Sequence, residues 1–454
     1  MKMKKIVPLV LAACTILTGC NHGGTGGNSN LKNETIIAAE GMTYDELLAK
    51  AKEEVGNGTV SVYGNSSQLE KALKKFTEET GIKVNNTKEG DADIYNHLST
   101  AFQSNTYIAD MVLLQDGNML QSEMLDPGYL LNFIPKEASG TIADDDTVPM
   151  AAVYLNKIFM YNNFNAEGTE HSLKNYITNV WQLAGTAADK GHIANPSFKT
   201  PTTENVNMNF LVMLTSDAYV AKLKTAYKNF YGKDYVEEKA YKNIGYKWVA
   251  EFLKNSQAHS SDAYVAKLKT AYKNFYGKDY VEEKAYKNIG YKWVAEFLKN
   301  SQAHSSDGTA CKDVAKAKGG TVALVNYNKI KDLKDDDVYG AENVNNLSFP
   351  SLELGDKKVD GFGGFCYKMY SMVAANAKYP YAACALVSYI TSKAGFENAW
   401  GAKAGYYSTN NTTKIASNDK EIAWWKERLV VEDPEVVAAN YEDVSMFVKQ
   451  YEGK

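Results

Sequence analysis

The chain has 454 residues, 44% of them hydrophobic, enough apolar material for two lobes that each carry a core. Its 50 basic and 54 acidic residues nearly balance, giving a formal charge of −4, which argues against nucleic acid as a partner. The five cysteines contain no CxxC pair and so suggest neither a metal cluster nor a disulfide framework; Cys311, Cys366 and Cys384 are expected to be buried thiols.

The first five residues, MKMKK, are basic, and Ile6 to Leu17 is an apolar run too short to remain as a membrane span. It ends in Leu17-Thr18-Gly19-Cys20, which resembles a bacterial lipobox. Residues 1–19 are therefore expected to be a cleaved lipoprotein signal peptide, and Cys20 to carry the lipid that holds the protein outside the cytoplasm on the bacterial cell membrane. Residues 20–35, rich in Gly, Asn and Ser, read as a flexible tether.

Further on, Thr43-x-x-Glu46 is a capping box ahead of a short amphipathic helix, ELLAKAKEEV. TVSVYG, from Thr59, alternates as a strand. A helix follows, with Ser67 as its expected cap and Leu69, Leu73 and Phe76 on its buried stripe. After Gly81 another strand begins, and a helix bearing Tyr95, Leu98 and Phe102 leads to the buried strand ADMVLL. Val148 to Met160 is a longer strand region, Trp181 lies in a helix, and Gly191 to Ala194 rises as a short strand. Thr321 to Val325 is a strand and Phe365 to Ala375 an apolar stretch, with helices beyond it. This order predicts an α/β fold with crossover connections.

Residues Ser216 to Ser260 recur without change as Ser261 to Ser305, an identical 45-residue tandem copy. Solenoids show imperfect copies and need three or more units, so two perfect ones point to a recent duplication or an error in assembling the sequence. Each copy reads as a helical hairpin. In the first, Val220, Leu223, Tyr227 and Phe230 form one stripe, Gly232 ends the helix, and Tyr241, Ile244, Trp248, Val249 and Phe252 form the second stripe. A packed lobe has one slot for such a hairpin.

Several phrases, in order, resemble the extracellular solute-binding lipoproteins of ABC importers: the type II periplasmic-binding-protein family, and within it the branch related to ferric-iron binders. They are ELLAKAKEEVGNGTVSVYG, LEKALKKFTEETGIKV, ADMVLLQDGNMLQ with GYLLNFIP, WQLAGTAADKGHIANPSFKTP, AACALVSYITSKAGFENAWG and AGYYSTN. The resemblance implies a two-lobe α/β fold. Residues 36–155 would form the first part of lobe 1, residues 156–359 lobe 2 with the duplicate, and residues 360–454 a return crossing and C-terminal helices mainly on lobe 1. Crossings would fall near Tyr154 and near Asp360 to Phe365. It implies a monomer that closes its lobes on one small polar or anionic solute, without a cofactor, and hands it to ABC permease subunits.

In α/β sheets, ligands sit beyond strand C-termini, at helix N-termini that offer unpaired NH groups. Three loops qualify: Tyr63-Gly64-Asn65-Ser66-Ser67, Gln115-Asp116-Gly117-Asn118, and Thr200-Pro201-Thr202-Thr203-Glu204-Asn205. Tyr63, Asn65, Ser66, Ser67, Asp116, Asn118, Tyr154, Thr202 and Thr203 are the ligand-binding candidates, and Tyr63, Ser67, Asp116, Tyr154 and Thr203 are expected to converge on one cavity. Asn326 and Tyr327 complete the set, where ferric binders of the resembled branch carry adjacent tyrosines; here there is one tyrosine, which weakens the case for Fe(III). Tyr406-Tyr407 is a pair, but stands elsewhere.

The histidines, at 22, 97, 171, 192, 259 and 304, show no metal-site spacing. Arg428 is the sole arginine and reads as part of a solvated helix face, so the guanidinium clamp used for amino-acid carboxylates is missing. A sugar or a cation can stack on some of the 31 tyrosines and 6 tryptophans. Ser417-x-x-Lys420 and Lys318-Gly319-Gly320 resemble fragments of a serine-type cell-wall enzyme, but in the wrong order, and no P-loop, G-x-S-x-G or H-E-x-x-H is present. A ferric receptor, such an enzyme and an adhesion lipoprotein are the competing readings; a non-enzymatic receptor is the expectation.

Overall fold

A computed structural model describes residues 32–164, 177–184, 196–197, 199, 201, 204–236, 243–255, 273, 307–317, 322–339, 343–401 and 403–452. The signal and Cys20, the strand expected at 191–194, Thr202, Thr203, Tyr241 and all of the second copy but Lys273 lie outside these residues.

The chain opens with helices α1 (Glu34–Glu40) and α2 (Tyr44–Val55). Thr43 and Glu46 form the expected capping box on α2: the Glu46 carboxylate accepts from Thr43 N at 2.7 Å, and Thr43 Oγ1 from Glu46 N at 3.4 Å. Strand β1 (Val60–Gly64) runs into the turn before α3 (Leu69–Thr80). The helix begins later than Ser67 predicts. Ser66, not Ser67, turns its hydroxyl inward to accept from Gln68 N, and Ser67 is left exposed. At Gly64 a Cβ would sit 2.7 Å from the end of the Leu69 side chain, so a larger residue there would have to displace it.

Strands β2 (Val84–Lys88) and β3 (Met111–Leu114) flank β1 in parallel, with α4 (Asp91–Gln103) between them in the chain. After β3, the short α5 (Gly117–Met119) runs into a π-helical turn, and β4 (Leu130–Leu131) follows. Then come the two longest strands, β5 (Ala151–Asn162) and, far on, β9 (Gly364–Ala374), which pair antiparallel from Ala151↔Tyr370 to Ile158↔Gly364. Both are buried along their whole length, as a central position requires.

One sheet results, in the order β2-β1-β3-β9-β5-β7-β6, where β6 is Pro196–Ser197 and β7 is Val322–Asn326. Short strands β8 (Leu347–Ser348), β10 (Tyr406–Ser408) and β11 (Val430–Val431) add to β5, β5 and β9. The pairing divides each long strand. β9 meets β3 at Tyr370–Val373 but β11 at Phe365–Cys366; β5 meets β10 at Val153–Leu155 but β7 at Lys157–Tyr161. The sheet thus has two halves, joined through β5 near Asn156 and β9 near Lys368.

Helices α6 (Trp181–Ala184), α7 (Asn205–Met213), α8 (Asp217–Tyr231) and α9 (Ile244–Asn255) pack together, with Phe210 of α7 against Phe362 and Phe365. Helices α8 and α9 are the first hairpin copy. Leu223, Ile244, Trp248, Val249 and Phe252 are each fully buried, and Gly232 ends α8 in the left-handed conformation. Trp248 Nε1 donates to Val180 O and Trp181 Nε1 to Leu223 O, which fastens the hairpin to α6. Among the described residues no helix is long and apolar enough to cross a membrane.

Cys311, Cys366 and Cys384 are buried and unpaired, as expected. Arg428 corrects its expectation. It is 6% exposed, lies flat on Trp424 at 3.6 Å, and donates to the carbonyls of Trp424, Gly355 and Asp356.

Candidate functional site

The polar side chains at the boundary of the two halves form one connected set. On the β1–β3 side, Asp91 begins α4 and ties two loops together. Its carboxylate accepts from the Asn65 side chain, from Gln115 N at 2.8 Å and from Asp116 N at 3.0 Å. Asp116, fully buried, caps α5 by accepting from Asn118 N and Met119 N.

Across the boundary stands α7. Asn205 donates to Asp116 Oδ2 at 2.7 Å, and Asn209 donates both to Asp116 Oδ1 at 3.0 Å and to Glu432 Oε1 at 2.9 Å. The sheet explains this meeting. β3 runs antiparallel to β9 and β11 parallel to it, on the same edge, so the residues after each strand, Asp116 and Glu432, approach one another across the gap between them. Tyr370 donates to Glu432 at 3.4 Å. Burial pushes Glu432 up to about 8, and burial followed by the neighbouring Asp116 charge pushes Asp91 to about 7; burial raises Asp116 as well.

The residues preceding and within α7 join a second network. Lys157, fully buried on β5, contacts Glu204 and Asp307 at 3.3 Å each and donates to Asn207 at 2.8 Å. Burial alone would lower the Lys157 ammonium; Asp307 and Glu204 together raise it. Asn326, at the end of β7, donates to Asp307 at 2.7 Å and accepts from the Tyr367 hydroxyl at 2.8 Å.

Solved structures share this architecture at low sequence identity. The iron-bound HitA of Pseudomonas aeruginosa has a TM-score of 0.52 at 14% identity, over 87% of this chain and 99% of that one. A ferric binding protein from Campylobacter jejuni has a TM-score of 0.54 at 15% identity, over 86% and 99%. IdiA (FutA) of Trichodesmium, in complex with iron and citrate, has a TM-score of 0.53 at 14% identity, over 87% and 100%. No family model matches the sequence, and no curated protein matches it. The chain has the type II periplasmic-binding-protein fold.

Within this periplasmic-binding-protein fold, Asn65, Asp116 and Asn118 fall in the first of these networks and Asn326 in the second, and Asn205, from the third loop, touches Asp116 directly. Tyr63 lies half-buried on β1 beside the first network, and Ser66 supports the turn that carries Asn65. Tyr154, three positions from Lys157 on a strand, points to the opposite face, away from the Lys157 network. Its hydroxyl bonds Asp146 and accepts from Lys426 at 2.6 Å, and the Lys426 ammonium lies 4.0 Å from its ring centre. A cavity of about 690 Å³ on that side is lined by Gln121, Tyr154, Lys368, Lys426, Glu432 and Asp433, among others.

Tyr327 is 1% exposed and packs on Trp425 at 5.2 Å between ring centres, as part of an apolar cluster. Tyr407 bonds Asp419 at 2.9 Å in the same cluster. Sequence reasoning missed Asp91, Lys157, Asn207, Asn209, Asp307 and Glu432. Two of these signals were readable. A lysine inside the apolar strand AAVYLNKIFMYN demands a buried partner, and Asn205, Asn207 and Asn209 interrupt an otherwise apolar helix.

Proposed function

We infer that this chain is the solute receptor of an ABC importer, holding one small polar solute between the two halves of its sheet without covalent chemistry. The observation that carries this reading is the boundary itself. Two halves joined by two strands meet through Asp116 on one side and Asn205 and Asn209 on the other. Such contacts form when the halves close and break when they part, which is what a hinge-closing receptor needs. The solved neighbours are binding proteins, in keeping with a non-enzymatic role. The lipid anchor on Cys20 and delivery to permease subunits belong to the same reading, and rest on the lipobox and on the fold's kin.

Iron has the ligands of these neighbours in its favour, but not this chain's residues. Tyr327 is packed against Trp425, and among the described residues no three His, Cys, Asp or Glu side chains are grouped to hold a metal ion.

The test is a thermal-shift panel of sugars, amines, organic acids, phosphonates and ferric citrate, followed by small-angle scattering on any hit. A receptor shows a raised melting point and a smaller radius of gyration with its solute. If no solute in a broad panel moves either quantity, the reading fails.

A further inference from the structure

We propose that the solute carries a protonated amine, and that Asp116, Glu432 and the Oδ1 of Asn209 are the groups that hold it. The proposal rests on the receptor reading above and adds the charge of the ligand. Its first ground is a lack of counter-ions. Asp116 is 0% exposed and Glu432 3%, and among the described residues neither they nor Asp91 form an ion pair. Lys368, the cation that acts most on Glu432, already bonds Asp146 at 2.8 Å and the Asp145 carbonyl at 3.0 Å. Buried carboxylates without a cation are costly, so the set stores a demand for positive charge.

The second ground is independent of the acids. Asn209, itself fully buried, uses its Nδ2 to bridge Asp116 and Glu432, and its Oδ1 has no partner. An unpaired buried acceptor on the amide that bridges two carboxyls calls for a donor. An ammonium group has three N–H donors and no acceptor, and here three acceptors lie within one hydrogen-bonded group.

The placement also suits capture. Asn205 and Asn209 belong to the half opposite Asp116, so opening strips Asp116 of two donors that an ammonium can replace. Glu432 borders two cavities: one of about 590 Å³ whose walls include Asp217 and Asp433 and no lysine or arginine, and the one of about 690 Å³ that also holds Lys368 and Lys426. The cation is therefore assigned from the unpaired acids and Asn209, with the first cavity as the side from which it can approach Glu432. The absence of a three-ligand group among the described residues favours an organic cation over a metal.

The experiment is calorimetric titration of the full chain with three solutes of one length: putrescine, 1,4-butanediol and succinate. Methylamine, spermidine, choline and calcium chloride are titrated alongside. Binding by one or more of putrescine, methylamine and spermidine, weakened at least tenfold in both Asp116→Asn and Glu432→Gln, is the expected result, and choline, which has no N–H to donate, is expected not to bind. Release of protons on binding, seen as a buffer-dependent heat, is expected too. Because Glu432→Gln removes a buried acid, the variant is expected to stay folded, and circular dichroism checks it. Binding of succinate, butanediol or calcium with no response to any amine overturns the proposal and leaves the receptor reading standing. Amine binding unchanged in both variants overturns the site. Silence toward every solute, here and in the broader panel, overturns the receptor reading as well.

Discussion

Glu432, Asp91 and Asp116 bind protons more tightly in the fold than in the open chain, and that has a sign. Free carboxyls titrate near 4, whereas Glu432 is pushed up to about 8 and Asp91 to about 7. Between those limits the unfolded state has lost protons that the native state keeps, so stability falls as pH rises. Glu204 works the other way: against burial, Lys157 and Lys199 hold it below the ordinary range, and its contribution is lost only in acid. From pH 5 to 8 the raised acids therefore decide, each with a slope of up to about 1.4 kcal/mol per pH unit while it titrates. Urea unfolding at pH 5, 6, 7 and 8 is expected to show stability decreasing, with the last step flattened in Glu432→Gln. A rise across that range would show these groups to be ionised or paired in the native state. Arg428 teaches a related lesson. WWKERLVVEDPE is polar enough to read as a solvated face, yet the only arginine is buried as the tie between Trp424 and the 355–356 turn. Composition could not reveal this, because its partners are backbone carbonyls of a distant segment.

At the scale of elements, most of the fold was legible, because period and caps are local. The capping box at Thr43, the alternation of β1, the stripes of α3, α4 and α8, and the apolar run of β3 all stand where their patterns put them. The site was legible only as loops. Asp116 and Asn326 were found because they follow strands; Glu432 was not, because its strand is two residues long and its meaning comes from pairing with β9, 65 positions upstream in the Val431↔Cys366 register, and from its own NH bond to Cys366 O at 2.8 Å. β5 and β9 also show where an element tolerates least change. At Gly364, where β9 first meets β5, φ is +150°, and a Cβ would lie 2.1 Å from Lys157 O. That oxygen is backbone of a buried strand and cannot move aside. Gly364→Ala is expected to destabilise the protein by roughly 1–3 kcal/mol or more, read as a lower denaturant midpoint. An unchanged midpoint would mean that the strands separate there at little cost.

For the whole molecule, the remaining question is what the repeated segment does. In the described hairpin Val220, Leu223, Ile244, Trp248, Val249 and Phe252 are buried, Tyr227 and Phe230 are half-buried, Trp248 and Trp181 are hydrogen-bonded, and Phe210 packs edge-on against Trp248 and Phe362. The partners in these hydrogen bonds and ring contacts all lie outside Ser261 to Ser305. Removing that copy joins Ser260 to Ser306, and the new junction reads Ala-His-Ser-Ser-Asp, the same five residues found at 258–262 and 303–307. No unfamiliar local sequence is created. Six residues, 256–260 and 306, then link α9 to the helix at Asp307–Ala315. Fully extended, they reach roughly 20 Å. Asp307 has a stake in that link, since it bonds both Lys157 and Asn326. The shortened chain is therefore expected to keep its denaturant midpoint and its solute affinity, and to aggregate less, because one set of large apolar side chains is gone from the sequence. Parallel expression, unfolding, light scattering and the same titration check it. A lower midpoint with weakened binding would show that six residues cannot place Asp307 beside Lys157, and that the second copy has become part of the receptor's frame.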